Sequence, residues 1–138
     1  IHSFGSKVGV VPQCQFEFDV SHFRDPFGQK QFEGLNGTAT VVRDWVGEDT
    51  RVEVLVTDCL ILADDLILAK TQTSGPVTRV ESAENYLSIS FKDYHGKWAA
   101  PAVAELVADR LSGAGYVVTV IHHQLPRETE ARNGTKVI

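Results

Sequence analysis

The sequence lacks methionine altogether and contains only two cysteines among 138 residues. Cys14 and Cys59 are far apart and show no Cys-x-x-Cys spacing, which excludes a disulfide framework and a cysteine-based metal motif. We interpret both as reduced core thiols, as is usual in the cytoplasm. From the missing methionine we expect that the numbered chain does not include its translational start.

Long hydrophobic runs are also missing. The longest apolar run, residues 59–63, is far shorter than the ~20 residues that span a bilayer. The first residues lack the basic start and long apolar stretch of a signal peptide. We therefore expect a cytoplasmic protein with no membrane segment.

Basic residues are too few for binding nucleic acid by bulk electrostatics, because 18 acidic residues outnumber 13 basic ones and the net charge is −5. The length and the 43% hydrophobic content suit one domain with one core.

Residues that perform catalysis or bind metals are present but not in diagnostic patterns. No serine lies in a nucleophile-elbow context, and neither cysteine has an electropositive setting. No histidine pair has the i, i+4 spacing of a helical zinc site. The histidines considered as ligands are His22, His95, His122 and His123. We expect no catalytic residue, no metal and no cofactor.

Hydrophobic periodicity predicts an α/β fold. Residues 13–20 alternate as in a half-buried strand, and residues 86–91 and 116–121 have the pattern of two further strands. Helical spacing is found around residues 41–46, from Thr50 to about Ala69, and from Pro101 to Leu111. Thr50 and Glu53 form a capping box.

The last strand, helix and strand form a βαβ unit, which requires parallel strands. The prediction is a single compact α/β domain whose mixed sheet is mostly parallel. The helix that begins at Thr50 should cover this sheet.

A polar loop follows the first strand of that unit, at the position where ligands usually bind. Residues 92–98 read Lys-Asp-Tyr-His-Gly-Lys-Trp. Their cations, next to a helix start, could bind a phosphate or a carboxylate. An ordinary solvated connection fits equally well, because one glycine is not a phosphate-binding fingerprint.

A second candidate loop precedes the first predicted strand. Residues 3–12 read Ser-Phe-Gly-Ser-Lys-Val-Gly-Val-Val-Pro, and backbone amides in such a loop can lie against a ligand. A turn-rich connection is the simpler interpretation of its composition.

The order of these motifs resembles the C-terminal domain of the RNase adapter RapZ. That family opens with S-F-G-x-K-x-G-x-P and continues with F-D-V-R, as residues 3–12 and 18–21 approximately do here. Residues 89–105 match the place of its strand, G-C-T-G-G-x-H-R-S loop and helix, and residues 122–125 that of H-R-D-L. The resemblance implies a RapZ-like domain at residues 1–125, without the family's nucleotide-binding half, and a polar tail at 126–138.

The resemblance also implies a function. The family's domain is similar in shape to the sugar-phosphate half of phosphofructokinase, senses glucosamine-6-phosphate, and binds a small regulatory RNA that it presents to an endonuclease. Several of the family's polar loop residues are replaced here, at Asp93, Tyr94, Trp98, Ala99 and Ala100.

Two arginines of the family are replaced by Ser21 and His123. Loss of such charge-assisted contacts should weaken the sugar-phosphate site unless Lys92, His95 or Lys97 compensates. The C-terminal tail, which is basic in the family, here contains Glu128 and Glu130 among its basic residues.

Three functions remain open. The leading hypothesis is a non-catalytic binding or adapter module that takes an anionic ligand, such as a sugar phosphate, or an RNA between the two loops. The alternative is a protein-interaction or inhibitor domain that has lost this site. An enzyme acting on a phosphorylated small molecule is the third hypothesis, and a homo-oligomer is compatible with each of the three.

The predicted ligand-binding residues are Ser3, Phe4, Gly5, Lys7, Gly9, Lys92, Tyr94, His95, Gly96, Lys97, His122 and His123. The predicted RNA contacts are Arg127, Arg132 and Lys136.

Overall fold

Six strands and three α-helices make up the computed structural model, which describes residues 1–74, 87–126 and 131–132. The strands are β1 (His2–Gly5), β2 (Phe16–Asp19), β3 (Ile89–Asp93), β4 (Val118–Thr119), β5 (Ile121–His122) and β6 (Ala131–Arg132). The α-helices are α1 (Thr40–Gly47), α2 (Thr50–Ser74) and α3 (Ala99–Gly113). Short 3-10 helices cover Ser6–Val8 and Lys30–Phe32. Tyr86, Arg127 and Lys136 lie outside the described residues.

Four strands form one parallel sheet in the order β2-β3-β1-β5. The register aligns Phe18, Phe91, Ser3 and His122 in one row across all four strands. Phe18 and Phe91 stack in this row with ring centroids 5.8 Å apart. Side chains in register share a face of the sheet. Because Glu105 of α3 contacts His122 of this row, α3 lies on this face.

The predicted α/β fold is confirmed, with two differences in the strands. Strands β3 and β5, which flank α3, are parallel and both pair with β1, a segment whose composition predicts a loop. Of the predicted strand 116–121, only Ile121 lies in β5. The predicted strand 116–121 is divided: β4 pairs antiparallel with β6 in a separate two-stranded sheet, while β5 joins the main sheet. The chain changes its strand partner at Val120, which is buried.

Helix α3, rather than α2, makes the main contacts with the sheet. It packs on β1 and β3, whereas α2 packs chiefly on α3 and α1. Buried alanines occur all round the first turns of α3, and a helix that is apolar on every side belongs in the interior. The expectation that the helix from Thr50 covers the sheet is therefore corrected: that helix forms an outer layer.

The α1–α2 junction positions the long connection between β2 and α1. The carboxylate of Asp49 accepts hydrogen bonds from the backbone amides of Arg24 and Arg51, each at 3.0 Å. The side-chain hydrogen bonds from Arg51 lower the pKa of Asp49 well below its usual range. Glu53 instead bonds Arg110 at 2.7 Å, so Asp49 rather than the predicted Thr50–Glu53 box caps α2.

Candidate functional site

The two candidate loops meet at the carboxyl end of the sheet. The amide of Gly5 donates to Oε1 of Gln124 at 2.6 Å, and the amide of Lys7 donates to the carbonyl of Tyr94 at 3.2 Å. A Cβ atom at Gly5 or at Gly96 would lie under 3.0 Å from backbone atoms of the facing loop. These glycines therefore allow two backbones to touch, and Gly96 also has a positive φ of 74°.

Asp93 occupies the amino end of α3 with its own carboxylate. Its side chain is buried and accepts hydrogen bonds from the amide of Ala100, at 2.9 Å, and from the amide of Gly96. Burial raises the pKa of Asp93, and the hydrogen bonds from the two amides oppose that rise. One of the helix-start amides predicted to face a ligand, that of Ala100, is thus bonded by the protein itself.

Four aromatic rings, of which two are exposed, and one ammonium group form a cluster near the start of α3. Nζ of Lys7 lies 5.7 Å from the ring centroid of Tyr94, and that ring meets His95 edge-on with centroids 4.9 Å apart. Phe27 reaches over from the β2–α1 connection, 4.4 Å from His95 and 6.3 Å from Trp98. We name these five residues the aromatic–basic cluster. The side chains of Tyr94 and Phe27 are 61% and 52% exposed.

Other predicted ligand residues lie beside or below this cluster. Lys97 is exposed, and its carbonyl accepts the amide of Gly37 at 2.9 Å. Lys92 makes an ion pair with Glu17 on β2, at 3.3 Å. Phe4 is buried, and Gly9, with a φ of 80°, ends the first 3-10 helix. The structure therefore brings Lys7, Tyr94 and His95 into contact, while Lys92 is engaged in the sheet.

Ser3 and His122 belong to a hydrogen-bonded chain of buried and partly buried side chains. Oγ of Ser3 lies 2.7 Å from Nδ1 of His122, whose Nε2 lies 2.7 Å from Oε1 of Glu105. The other carboxylate oxygen of Glu105 lies 3.9 Å from Arg43 on α1. Ser3 has no exposed surface, so a substrate cannot reach its hydroxyl. The chain ties β1, β5, α3 and α1 together.

His123 points away from this chain and contacts His2. Their ring centroids lie 5.1 Å apart, and Nδ1 of His2 lies 2.8 Å from Nε2 of His123, so the rings meet end to end in a hydrogen bond. Burial, with the neighbouring His123 as a smaller cause, lowers the pKa of His2 to about 4.

Four contributors were missed by sequence reasoning: Phe27, Glu105, Gln124 and His2. Glu105 is buried on a helix otherwise lined with alanines and valines, and this unusual setting was the one signal available. Residues 70–74 and 131–132 aside, whose side chains are not described, the described part of the chain contains no group of three or more potential metal ligands. No helix in that part has the length and apolarity to cross a membrane.

The fold defines a parallel α/β domain whose two loops meet at the carboxyl ends of its strands. Comparison with known families identifies it further. The family model of the RapZ C-terminal domain matches residues 1–126, and the chain belongs to this family.

Curated relatives of the chain are named nucleotide-binding proteins. One from Desulforapulum autotrophicum is 28% identical over 128 residues, 93% of this chain and 41% of its own length. One from Roseobacter denitrificans is 30% identical over 125 residues, 91% of this chain and 39% of its own length. One from Cereibacter sphaeroides is 28% identical over 131 residues, 95% and 40% respectively. The chain thus spans about two fifths of the relatives that it matches.

Proposed function

We propose that this chain is a non-catalytic binding module for a small phosphorylated ligand, with the aromatic–basic cluster as its site. The observation that supports it most is the position of the Lys7 ammonium over the exposed ring of Tyr94, 5.7 Å from its centroid. A cation and a ring face on the same surface suit a ligand that carries a phosphate and an apolar ring face.

The chemistry of the cluster divides into two parts. Tyr94, His95 and Phe27 offer rings for stacking the apolar face of a sugar or a base. Lys7 and the exposed Lys97 offer ammonium groups for the phosphate. Because Asp93 already bonds the amide of Ala100 at the start of α3, we expect side chains to hold the phosphate. We therefore expect a modest affinity.

Family membership supports the same proposal. The RapZ resemblance implies sugar-phosphate sensing, and the relatives are named nucleotide-binding proteins, so both ligand classes are worth testing. The buried position of Ser3 supports a structural role for the Ser3–His122–Glu105 chain rather than a catalytic one. The two free thiols, Cys14 and Cys59, support a cytoplasmic location.

Calorimetric titration tests the proposal. We expect heat on addition of glucosamine-6-phosphate, glucose-6-phosphate or a nucleoside monophosphate. Lys7→Ala and Tyr94→Ala should each weaken that binding about tenfold, near the lower end of what a charge-assisted contact contributes.

Arg110→Ala is the matched control. It removes one positive charge, but Arg110 lies eleven residues along α3 from Ala99, which is about 17 Å at the rise of an α-helix. Binding by this control should equal that of the unmodified chain. Equal weakening by Lys7→Ala and Arg110→Ala would indicate that only net charge matters.

A protein-interaction module is the second candidate. Next to Lys7, the exposed side chains of Val8, Val10 and Val11 form an apolar stretch, with exposed fractions of 48%, 64% and 56%. Absence of heat with every phosphate ester at millimolar concentration would favour this candidate.

A further inference from the structure

Helix α2 has a second apolar face, on the side turned away from the core. The side chains of Val54, Ile61 and Leu68 are 59%, 51% and 55% exposed, and they follow one another at intervals of seven residues. Seven residues fall only about 20° short of two helical turns, so these side chains form one row along the helix. The row is about 21 Å long at the rise of an α-helix.

The core of the domain does not use this row. Val56 lies two residues after Val54, and it is buried in the core. Cys59 and Ala63 lie two residues before and after Ile61, and both are buried in the same core. Two residues correspond to about 200° around an α-helix, so the buried and exposed rows are on nearly opposite sides. Exposed apolar rows of this kind are typical of protein-binding surfaces.

Carboxylates flank the exposed row on both sides. Residues 52–69 contain four acidic residues and no lysine or arginine. Asp58 and Asp65 are exposed along one side of the row. Glu53 and Asp64 lie along the other side, where each is bonded to a side chain from outside α2. The surface around the row is therefore acidic, chiefly because of the two exposed aspartates.

We propose that this outer α2 face, formed by Val54, Asp58, Ile61, Asp65 and Leu68, docks a basic amphipathic helix of a partner protein. An amphipathic helix presents apolar anchors at i, i+3, i+4 and i+7, a spacing that matches the seven-residue interval of the row. Lysine or arginine side chains beside those anchors pair with the aspartates of the face. Charged pairs that flank an apolar seam set the choice of partner.

A second copy of the chain fits this face poorly. Two α2 helices that pack through their outer faces bring the carboxylates of one copy close to those of the other. Residues 52–69 contain no basic side chain to offset this, and like charges facing each other across an interface oppose association. Charge complementarity therefore favours a basic partner.

A designed helical peptide of about three heptads, with leucine at positions a and d and lysine at e and g, is the probe. Its binding to the full chain is measured by the fluorescence anisotropy of a labelled peptide. We expect binding that weakens as salt screens the charges, and no binding by a matched peptide with glutamate in place of lysine. Ile61→Ser and Val54→Ser should each weaken binding of the lysine peptide about tenfold or more, because central apolar anchors dominate such interfaces.

Val41→Ser is the matched control, since Val41 is 58% exposed on α1 and should bind the lysine peptide as the unmodified chain does. Circular dichroism verifies that each variant is folded. Sedimentation velocity without peptide tests the competing occupant. Failure of the lysine peptide to bind, equal binding of both peptides, or equal weakening by Ile61→Ser and Val41→Ser would overturn the proposal. A dimer of the chain that Ile61→Ser dissociates would also overturn it, because a second copy would then cover the face.

Discussion

Removing the carboxylate of Asp93 should destabilise the domain far more than removing an exposed one. Asp93→Ala leaves two buried amides, those of Gly96 and Ala100, without the acceptor they have now. Loss of a helix cap costs about 1 kcal/mol and up to about 2. An unsatisfied second amide adds about 1–3 kcal/mol. The variant no longer buries a carboxylate, which offsets part of this cost. We therefore expect the free energy of unfolding to fall by about 2–4 kcal/mol.

Urea unfolding followed by tryptophan fluorescence and circular dichroism measures this loss, and a loss of that size lowers the melting temperature by on the order of 10 °C. Asp65→Ala is the matched control, because Asp65 is exposed on α2 and its removal should change stability by less than about 0.5 kcal/mol. If Asp93→Ala were no less stable than Asp65→Ala, the capping role of Asp93 would be refuted.

The pH dependence of Asp93→Asn gives a further prediction. Because burial raises the pKa of Asp93, the folded state binds this proton more tightly than the unfolded state does. The stability contributed by Asp93 is therefore greatest below its ordinary carboxyl pKa and declines as pH rises through the raised value. The unfolding free energy of the unmodified chain minus that of Asp93→Asn should decrease with rising pH over this window. An increase over the same window would contradict the assignment.

Three other predictions concern the loops, the buried chain and RNA. Gly96→Ala should lower the free energy of unfolding more than Gly28→Ala does. Both glycines have a φ near 75°, but only Gly96 has backbone atoms within 3 Å of a new Cβ. The difference between the two variants, measured by urea unfolding, should be about 1–3 kcal/mol. Ser3→Ala should lower the free energy of unfolding by about 1–3 kcal/mol in the same assay, since it removes the partner of Nδ1 of the partly buried His122. RNA binding should be weak and salt-dependent. In a filter-binding assay, neutralising the three basic tail residues together should reduce the slope of log affinity against log salt concentration by about 2. A tight, salt-insensitive complex would refute the charge argument. The tail bases are Arg127, Arg132 and Lys136.

The sequence predicted those elements whose own periodicity decides their structure. α1, α2 and α3 start within two residues of their predicted positions because each has a continuous apolar stripe. β1 was missed because four residues containing a serine and a glycine have little strand preference alone. Its central place depends on pairing with β3 and β5, more than 80 residues away.

The candidate site was predictable where the family motif supplied it. The motif placed Lys7 and the loop at residues 94–98 together, and the glycine contact between them explains why. Phe27 could not be predicted, since its position depends on the connection that Asp49 fixes through Arg24. Nothing in the sequence indicates that Asp93 bonds an amide of α3, because Asp93 lies seven residues before its partner Ala100.

Amide chemical-shift mapping with glucosamine-6-phosphate tests the central claim most directly. A ¹H–¹⁵N spectrum recorded during the titration reports which residues sense the ligand. If the aromatic–basic cluster is the site, the largest shifts will fall on residues 5–9 and 94–98 and on Phe27, and Lys7→Ala will reduce them at equal ligand concentration. Shifts centred instead on the groove between α2 and α3 that Val56 and Leu106 line, or no shifts at millimolar ligand, would contradict the account.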